Sequence, residues 1–242
     1  MRLSILFDNV PGRADLTPLW GFSCHVESEG KRWLFDTGSN GRVLLENARK
    51  MGMDLSTIEA LVLSHPHWDH VGGIDSVIEA APKVRLYVPN SLSKHWIADL
   101  REMSGGVEVI GDTPQALFDG VRSTGVMGEI GEQAVVIDTV EGPVVLTGCA
   151  HPGIVEITAR AVEMSGEAPV LVMGGFHLLK RSREEIEEMI EGMVALGVRK
   201  VCPTHCTGKL GMEMFRKAFG EDCLDGGLGA VVELRAERAE PA

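Results

Sequence analysis

The stretch ALVLSHPHWDHVGGI, Ala60 to Ile74, places His65, His67, Asp69 and His70 within six positions directly after an apolar run. The run at 59–63 has the length and content of a buried strand, so the histidines fall on the loop that leaves it. Pro66 pushes His65 out of the helical region. Extended chain sends residues i and i+2 to the same side. His65 and His67 are therefore expected to face one metal ion, and Asp69 and His70, after the next turn, another. Imidazole nitrogen and carboxylate oxygen are zinc donors, and a catalytic zinc keeps one position open. The same donors suit iron or manganese. The spacing thus predicts two divalent transition-metal ions, and one loop is too short to complete either site.

The missing donors are sought where other strand-like runs end. Of the eight histidines, six follow such runs: the three above, His151 in VVLTGCAHPG, His177 in VLVMGGFHLL and His205 in VCPTHCTG. Loops at strand ends are where layered folds assemble sites. His151 and His205 are expected as the remaining ligands. His177, if it reaches the site, is expected to bond the substrate or protonate a leaving group, and Asp69 to orient the attacking water or take its proton. Cys149 shares a side with His151 on an extended segment, so either it is a small buried residue at a strand end, or its thiolate, next to one or two dications, is deprotonated below its ordinary value and acts as a further, soft ligand. His25 and His95 are expected to be solvent-facing or capping residues.

Along the chain, strands are expected at 3–8, 21–28, 31–36, 59–63, 84–88, 107–110, 121–126, 133–138, 143–147, 169–173, 198–202 and 228–234. Helices are expected at 41–51, 74–80, 91–103 (capped by Asn90), 153–164, 183–195 and 208–218. SEGK at 28–31 has a tight-turn composition. Strands followed by alternating helix and strand occur twice, which predicts an α/β fold with two sheets face to face and helices outside, a four-layer α/β/β/α sandwich. No linker or repeat divides the chain, so one domain over 1–242 is expected.

Composition narrows the function. A formal charge of −12 leaves no broad basic surface for a nucleic-acid backbone, and 44% hydrophobic with 24% charged residues is ordinary for a globular protein. MRLSILFDNV meets Asp8 too early for a secretory signal, and no run approaches the ~20 apolar residues of a membrane span, so a cytoplasmic protein without membrane partners is expected. Five cysteines without CxxC spacing argue against a disulfide scaffold or zinc ribbon. Lys180, Arg181 and Arg183 follow His177, and Lys209 opens a helix, which hints at a small anionic or phosphorylated substrate.

The motif HxHxDH formed by His65, His67, Asp69 and His70 resembles the hallmark of the metallo-β-lactamase superfamily, and WLFDTG at 33–38 is similar to the strand and loop that precede it there. The resemblance implies the four-layer sandwich of that superfamily, a binuclear metal site and, for Asp36, support of the metal site from behind the ligands. DNVPG, WGFSCHVE, LTGCAHPGI, GGFHL and PTHCTG look like the branch that contains the archaeal enzyme condensing a dihydropterin with a ribofuranosylaminobenzene phosphate. One departure stands out: the strand end that usually reads TGD reads Thr147, Gly148, Cys149.

The resemblance implies a metal-dependent hydrolase that activates water. The alternative is a transferase joining a pterin-methyl diphosphate to a ribofuranosylaminobenzene phosphate-like acceptor, and the same ligands would serve both. Diiron electron-transfer and nuclease members are disfavoured, since the chain shows neither a flavin-binding domain nor long basic insertions.

Overall fold

The computed structural model describes residues 1–28 and 30–235. Thirteen strands form two sheets. The first contains β1 (Arg2–Asp8), β2 (Phe22–Ser28), β3 (Lys31–Phe35), β4 (Ala60–Val62), β5 (Arg85–Pro89), β6 (Val107–Ile110) and β13 (Val231–Glu233), in the order β13-β1-β2-β3-β4-β5-β6. The second contains β7 (Gln115–Phe118), β8 (Val121–Ser123), β9 (Val135–Ile137), β10 (Val144–Thr147), β11 (Leu171–Gly175) and β12 (Lys200–Thr204), in the order β12-β11-β10-β9-β8-β7. Both are mixed: β3 to β6 and β10 to β12 run parallel, and the remaining neighbours are antiparallel.

Alternation along the strands decides the layers. Leu3, Ile5, Val26, Trp33 and Phe35 of the first sheet meet Val135, Leu146, Leu171 and Met173 of the second in a core between the sheets. Leu6, Leu34, Leu61 and Leu86 face the other way, onto Leu44 and Ala48 of α1 (Gly41–Lys50), Val77 and Ile78 of α3 (Ile74–Ala80) and Leu100 of α4 (Lys94–Met103). Val136, Val145, Val172 and Val201 do the same for Ile157 of α5 (Ile154–Ser165), Ile190 of α6 (Arg183–Ala195) and Phe215 of α7 (Gly208–Phe219). Three cores between four layers make the expected α/β/β/α sandwich.

Local chemistry sets the helix starts. The Asn40 side chain accepts the Val43 N–H to open α1, and Ser182 and Glu185 form a reciprocal capping box on α6. The strand ends at Phe35, Val62, Thr147, Gly175 and Thr204, together with the end of β1, carry the loops of the site described below.

Several expected boundaries move. α4 starts at Lys94 with Ser93 at its cap: Asn90 extends the pairing of β5 to Ile110 and its amide donates to Asp112, so it caps nothing. β11 and β12 begin two residues later than expected, at Leu171 and Lys200. Gly125 and Gly229, both at positive φ, turn the chain and shorten the strands expected at 121–126 and 228–234. β7 and a four-residue helix, α2 (Trp68–Val71), were not expected. His25, expected to face solvent or to cap, is instead a buried residue of β2. The SEGK turn includes Glu29, and the single-domain expectation includes 236–242; these lie outside the described residues. No helix among the described residues is long and apolar enough to cross a membrane.

Candidate metal centre and its cleft

The loops after β4, β10, β11 and β12 converge on one edge of the sandwich. The imidazoles of His65, His67 and His151 form a triangle with ring centres 4.6, 4.7 and 4.8 Å apart. Beside it, the His70 ring lies 4.2 Å from His65 and 5.1 Å from His205. One Asp69 carboxylate oxygen lies 3.7 Å from His70 Nε2 and 3.6 Å from His205 Nε2. Cys149 Sγ lies 3.3 Å from His70 Nε2 and groups within metal-binding reach of both His65 with His151 and His70 with His205. His65 and His67 therefore share a side as their spacing predicts. Asp69 and His70 reach the second cluster from α2, whose turn closes through the His70 N–H to His67 C=O bond.

Hydrogen bonding behind the rings shows why these donors point inward. Asp36 Oδ1 accepts the Ser64 N–H at 2.7 Å, and Oδ2 accepts the Ser64 hydroxyl and His70 Nδ1, each at 2.7 Å. A carboxylate only accepts, so His70 carries its proton on Nδ1 toward Asp36. Ser64 has spent its hydrogen on Asp36, so at 2.8 Å its oxygen must accept from His65 Nδ1. Asn9 donates its amide to the His205 carbonyl, which orients its oxygen toward His205 Nδ1 at 2.6 Å. His151 Nδ1 donates to Glu132 at 2.7 Å. All four rings thus commit Nδ1 to a protein acceptor and turn Nε2 toward the shared space. For His65 and His205 that Nε2 is buried without a hydrogen-bond partner. Orphaned, unprotonated imidazole nitrogens beside a carboxylate and a thiol are the donor set a divalent transition metal takes, and metal-binding histidines are held this way by their other nitrogen.

Electrostatics agree with this arrangement. Burial pushes His65 and His205 well below the usual imidazole value, and it lowers His67 as well. For His70 burial also opposes the charge, but Asp36 outweighs it and the net shift is upward, so a cation there competes with a proton. Burial would raise Glu132, yet its neighbour His65 and the hydrogen bonds from His151 hold it well below the usual carboxylate range. Cys149 is pushed up by its hydrogen bond to Cys206 and by burial, whereas Cys206 is held down, to about 6: burial opposes this, and the hydrogen bonds from Cys149 and His177 outweigh it. The protein neighbours therefore favour the thiolate on Cys206, and the thiolate character expected of Cys149 has to come from a cation.

The backbone is strained where the site is built. The non-glycine residues at positive φ among the described residues are Asp36 (57°), Ala150 (60°), His177 (53°) and His205 (50°). Each costs roughly 1–3 kcal/mol and persists only where its surroundings enforce it. Ala150 also corrects the expectation of an extended 149–151 segment: the chain turns there, and Cys149 and His151 converge through that turn. Gly148 admits no side chain, because a Cβ would lie 2.3 Å from Ser64 Oγ and 3.0 Å from Asp36 Oδ2.

In front of the donors opens a cleft of about 680 Å³, lined by His67, Asp69, Cys149, His151, His205 and Cys206 on its floor and by Trp20, Trp68, His177, Leu179, Lys180 and Arg181 on its walls. The His177 ring lies 4.4 Å from His151, and Cys206 raises its pKa through a hydrogen bond. Trp20 lies 5.2 Å from the His205 ring, while Trp68 is 63% exposed. Lys180 and Arg181 reach the cleft. Arg183 does not line it, and Lys209 pairs with Glu213 on the exposed face of α7.

The sequence model of the metallo-beta-lactamase superfamily matches residues 22–205. The chain belongs to that superfamily. It is 29% identical to the 7,8-dihydropterin-6-methyl-4-(beta-D-ribofuranosyl)-aminobenzene-5'-phosphate synthase of Methanocaldococcus jannaschii, over 85% of this chain and 88% of that protein. Among solved structures, Tm1679, a metal-dependent hydrolase of the beta-lactamase superfamily, superposes with a TM-score of 0.82 at 29% identity, over 97% of this chain and 99% of that one. Human tRNase Z, short form, superposes with a TM-score of 0.66 at 14% identity, over 97% and 100%, a likeness of fold alone. The chain is thus an enzyme of the metallo-β-lactamase superfamily.

Sequence reasoning missed Asn9, Glu132 and Cys206. The DN pair at 8–9 stood inside a noted motif, but its partner is 196 residues away. Glu132 gave one signal, an acidic residue two positions before the apolar run AVVI.

Proposed function

We propose that this protein is a metal-dependent hydrolase acting on a small anionic, in particular phosphorylated, substrate. The observation that carries this reading is the row of inward Nε2 atoms, each fixed by a protein acceptor on Nδ1, at the floor of a cleft whose wall holds Lys180 and Arg181. His65, His67 and His151 would hold one ion, Asp69, His70 and His205 the other, with Cys149 between them. When bound, two divalent ions, zinc in the first place with iron or manganese as alternatives, supply Lewis acidity toward a carbonyl or phosphoryl oxygen and toward the attacking water.

The chain's own groups do the rest. Asp69 faces the cleft floor, where its carboxylate orients the attacking water and accepts its proton. His177, beside His151, donates to the substrate or the leaving group. Lys180 and Arg181 neutralise the anion at the rim, and Trp20 and Trp68 flank the cleft. The net charge of −12 disfavours a nucleic acid as the main partner.

A second reading, a transferase joining a pterin-methyl diphosphate to a ribofuranosylaminobenzene phosphate-like acceptor, is favoured by the 29% identity to the archaeal synthase and by two tryptophans suited to hold planar rings. A turnover screen of the metal-loaded protein against phosphoesters, lactones, thioesters and a pterin diphosphate tests both. Hydrolysis of a phosphoester without an acceptor supports the first reading. Pyrophosphate release that requires an aromatic amine replaces it with the second.

A further inference from the structure

Glu132 has no place in the ligand set, yet it is fully buried and accepts four hydrogen bonds from a single loop. Its Oε1 takes the N–H groups of Cys149 at 2.8 Å and Ala150 at 2.9 Å, and its Oε2 takes the N–H of His151 at 2.8 Å and His151 Nδ1 at 2.7 Å. Three successive backbone donors turned onto one carboxylate form an anion-binding nest, and the nest requires the left-handed turn at Ala150. Here the anion is supplied from within the chain.

The next residue ties this carboxylate to the motif loop. Gln133 N donates to the Ser64 carbonyl at 2.9 Å, its side-chain amide donates to the Leu63 carbonyl at 2.8 Å, and its oxygen accepts from Ser123 at 2.6 Å. The Glu132 backbone is itself paired with Met127 in both directions. Residues 132–133 therefore span the gap between the loop that follows β4 in one sheet and the loop that follows β10 in the other.

We infer that Glu132 is a positioning residue of the metal centre: its carboxylate folds the 149–151 turn and fixes His151 as the Nδ1–H tautomer, so that His151 Nε2 and Cys149 Sγ face the cleft from one loop. The inference rests on the proposal that the donor cluster binds metal. It assigns the convergence of two donors to a residue that touches neither ion nor substrate. A carboxylate is required, because an amide in its place has one accepting oxygen for four donors and directs its own NH2 at the rest.

Cobalt(II) binding by chelator competition, with the visible spectrum recorded, tests it in wild type, Glu132→Gln and Gln133→Ala. Glu132→Gln is expected to lower the affinity of at least one equivalent 10- to 100-fold and to change the spectrum, the range found when a group orienting a metal ligand is lost. Gln133→Ala, which removes side-chain bonds of the same bridge but none to His151, is expected to lower the unfolding midpoint of the metal-free protein and leave the cobalt spectrum as in wild type. Wild-type affinity and spectrum in Glu132→Gln overturn the inference. Where Glu132→Gln fails to fold, 15N shifts of His151 in the metal-free wild type decide: the Nδ1–H tautomer supports the assignment and the Nε2–H tautomer overturns it. Absence of cobalt binding in wild type overturns the metal reading itself, a result distinct from a failure confined to the variant.

Discussion

Asp36→Asn should do more damage to metal binding than to folding, because the carboxylate sets the proton positions of two rings of the proposed ligand set. Asparagine matches the shape of aspartate and is among the residues that tolerate a positive φ, so the backbone at 57° survives the exchange. The hydrogen-bond pattern does not. With the amide oxygen on the Ser64 N–H, the NH2 faces Ser64 Oγ and His70 Nδ1, both of which were donors to Asp36. Both can adapt by reversing. His70 then accepts on Nδ1 and carries its proton on Nε2. Ser64 accepts from the amide and turns its hydrogen onto His65 Nδ1, 2.8 Å away, which moves the His65 proton to Nε2 as well. One substitution thus places two N–H groups where two ligand lone pairs belong.

The magnitude follows from this count. Losing the charge-assisted bond to His70 costs the metal-free fold about 1.5–3 kcal/mol. Disturbing the partner of one ligand weakens metal binding ~10- to 100-fold, so disturbing two gives ~10²- to 10⁴-fold, or about 3–6 kcal/mol. Urea unfolding of the metal-free protein measures the first quantity and chelator competition the second. Zinc affinity within threefold of wild type would refute the proton relay through Ser64. A lost affinity accounted for by the unfolded fraction alone would reduce Asp36 to a folding residue.

Three further outcomes follow from the same geometry. Asp69→Asn should keep the fold and lower turnover on the order of 10²- to 10⁴-fold through loss of proton acceptance; single-turnover rates checked against metal content measure it, and a near-wild-type rate would remove Asp69 from the chemistry. Cys149→Ser should abolish an intense near-ultraviolet charge-transfer band of the cobalt-substituted protein; an unchanged spectrum would leave the thiol as packing. His25, buried with an unpartnered Nδ1, is held below its usual value of 6.5 by burial. Its depressed folded pKa means stability is full above 6.5 and falls as pH drops below it, by at most ~1.36 kcal/mol per pH unit, since only the unfolded chain then takes the proton. Urea midpoints between pH 7.5 and 5 should lose that part of their slope in His25→Leu, and an identical slope in both proteins would contradict it.

The layer order and the strand-end positions of the histidines were legible because both are written locally: an apolar run, a break, then donors two residues apart. The residues that fix those donors were not. Asn9 meets His205 and Glu132 meets His151 across the fold, and nothing in DN or in GEQ states which loop will arrive opposite. The left-handed residues were hidden for a related reason. Asp36, Ala150, His177 and His205 hold a conformation that L-residues avoid, and only their tertiary partners enforce it. β7 escaped notice because its four residues, QALF, of which only Leu117 is buried, carry too short an alternation to read. α2 escaped because one turn closed on the His67 carbonyl has no periodicity at all.

This division between what is local and what is distant also separates the metal centre from the specificity of the enzyme. Four imidazoles have Nδ1 committed to Ser64, Asp36, Glu132 and Asn9, so the donor array is set from behind and leaves its front face open to whatever the cleft admits. The walls are of another kind: Trp20, Trp68 and Leu179 are exposed by 40, 63 and 55%, and the Arg181 guanidinium, just ahead of α6, bonds Glu185 in the first turn of that helix. None of these side chains holds the Nδ1 of an inward-facing imidazole. Exchanging Trp20 or Lys180 should therefore change which substrate turns over at constant metal content, whereas exchanging Asp36 or Glu132 should change metal content for every substrate alike.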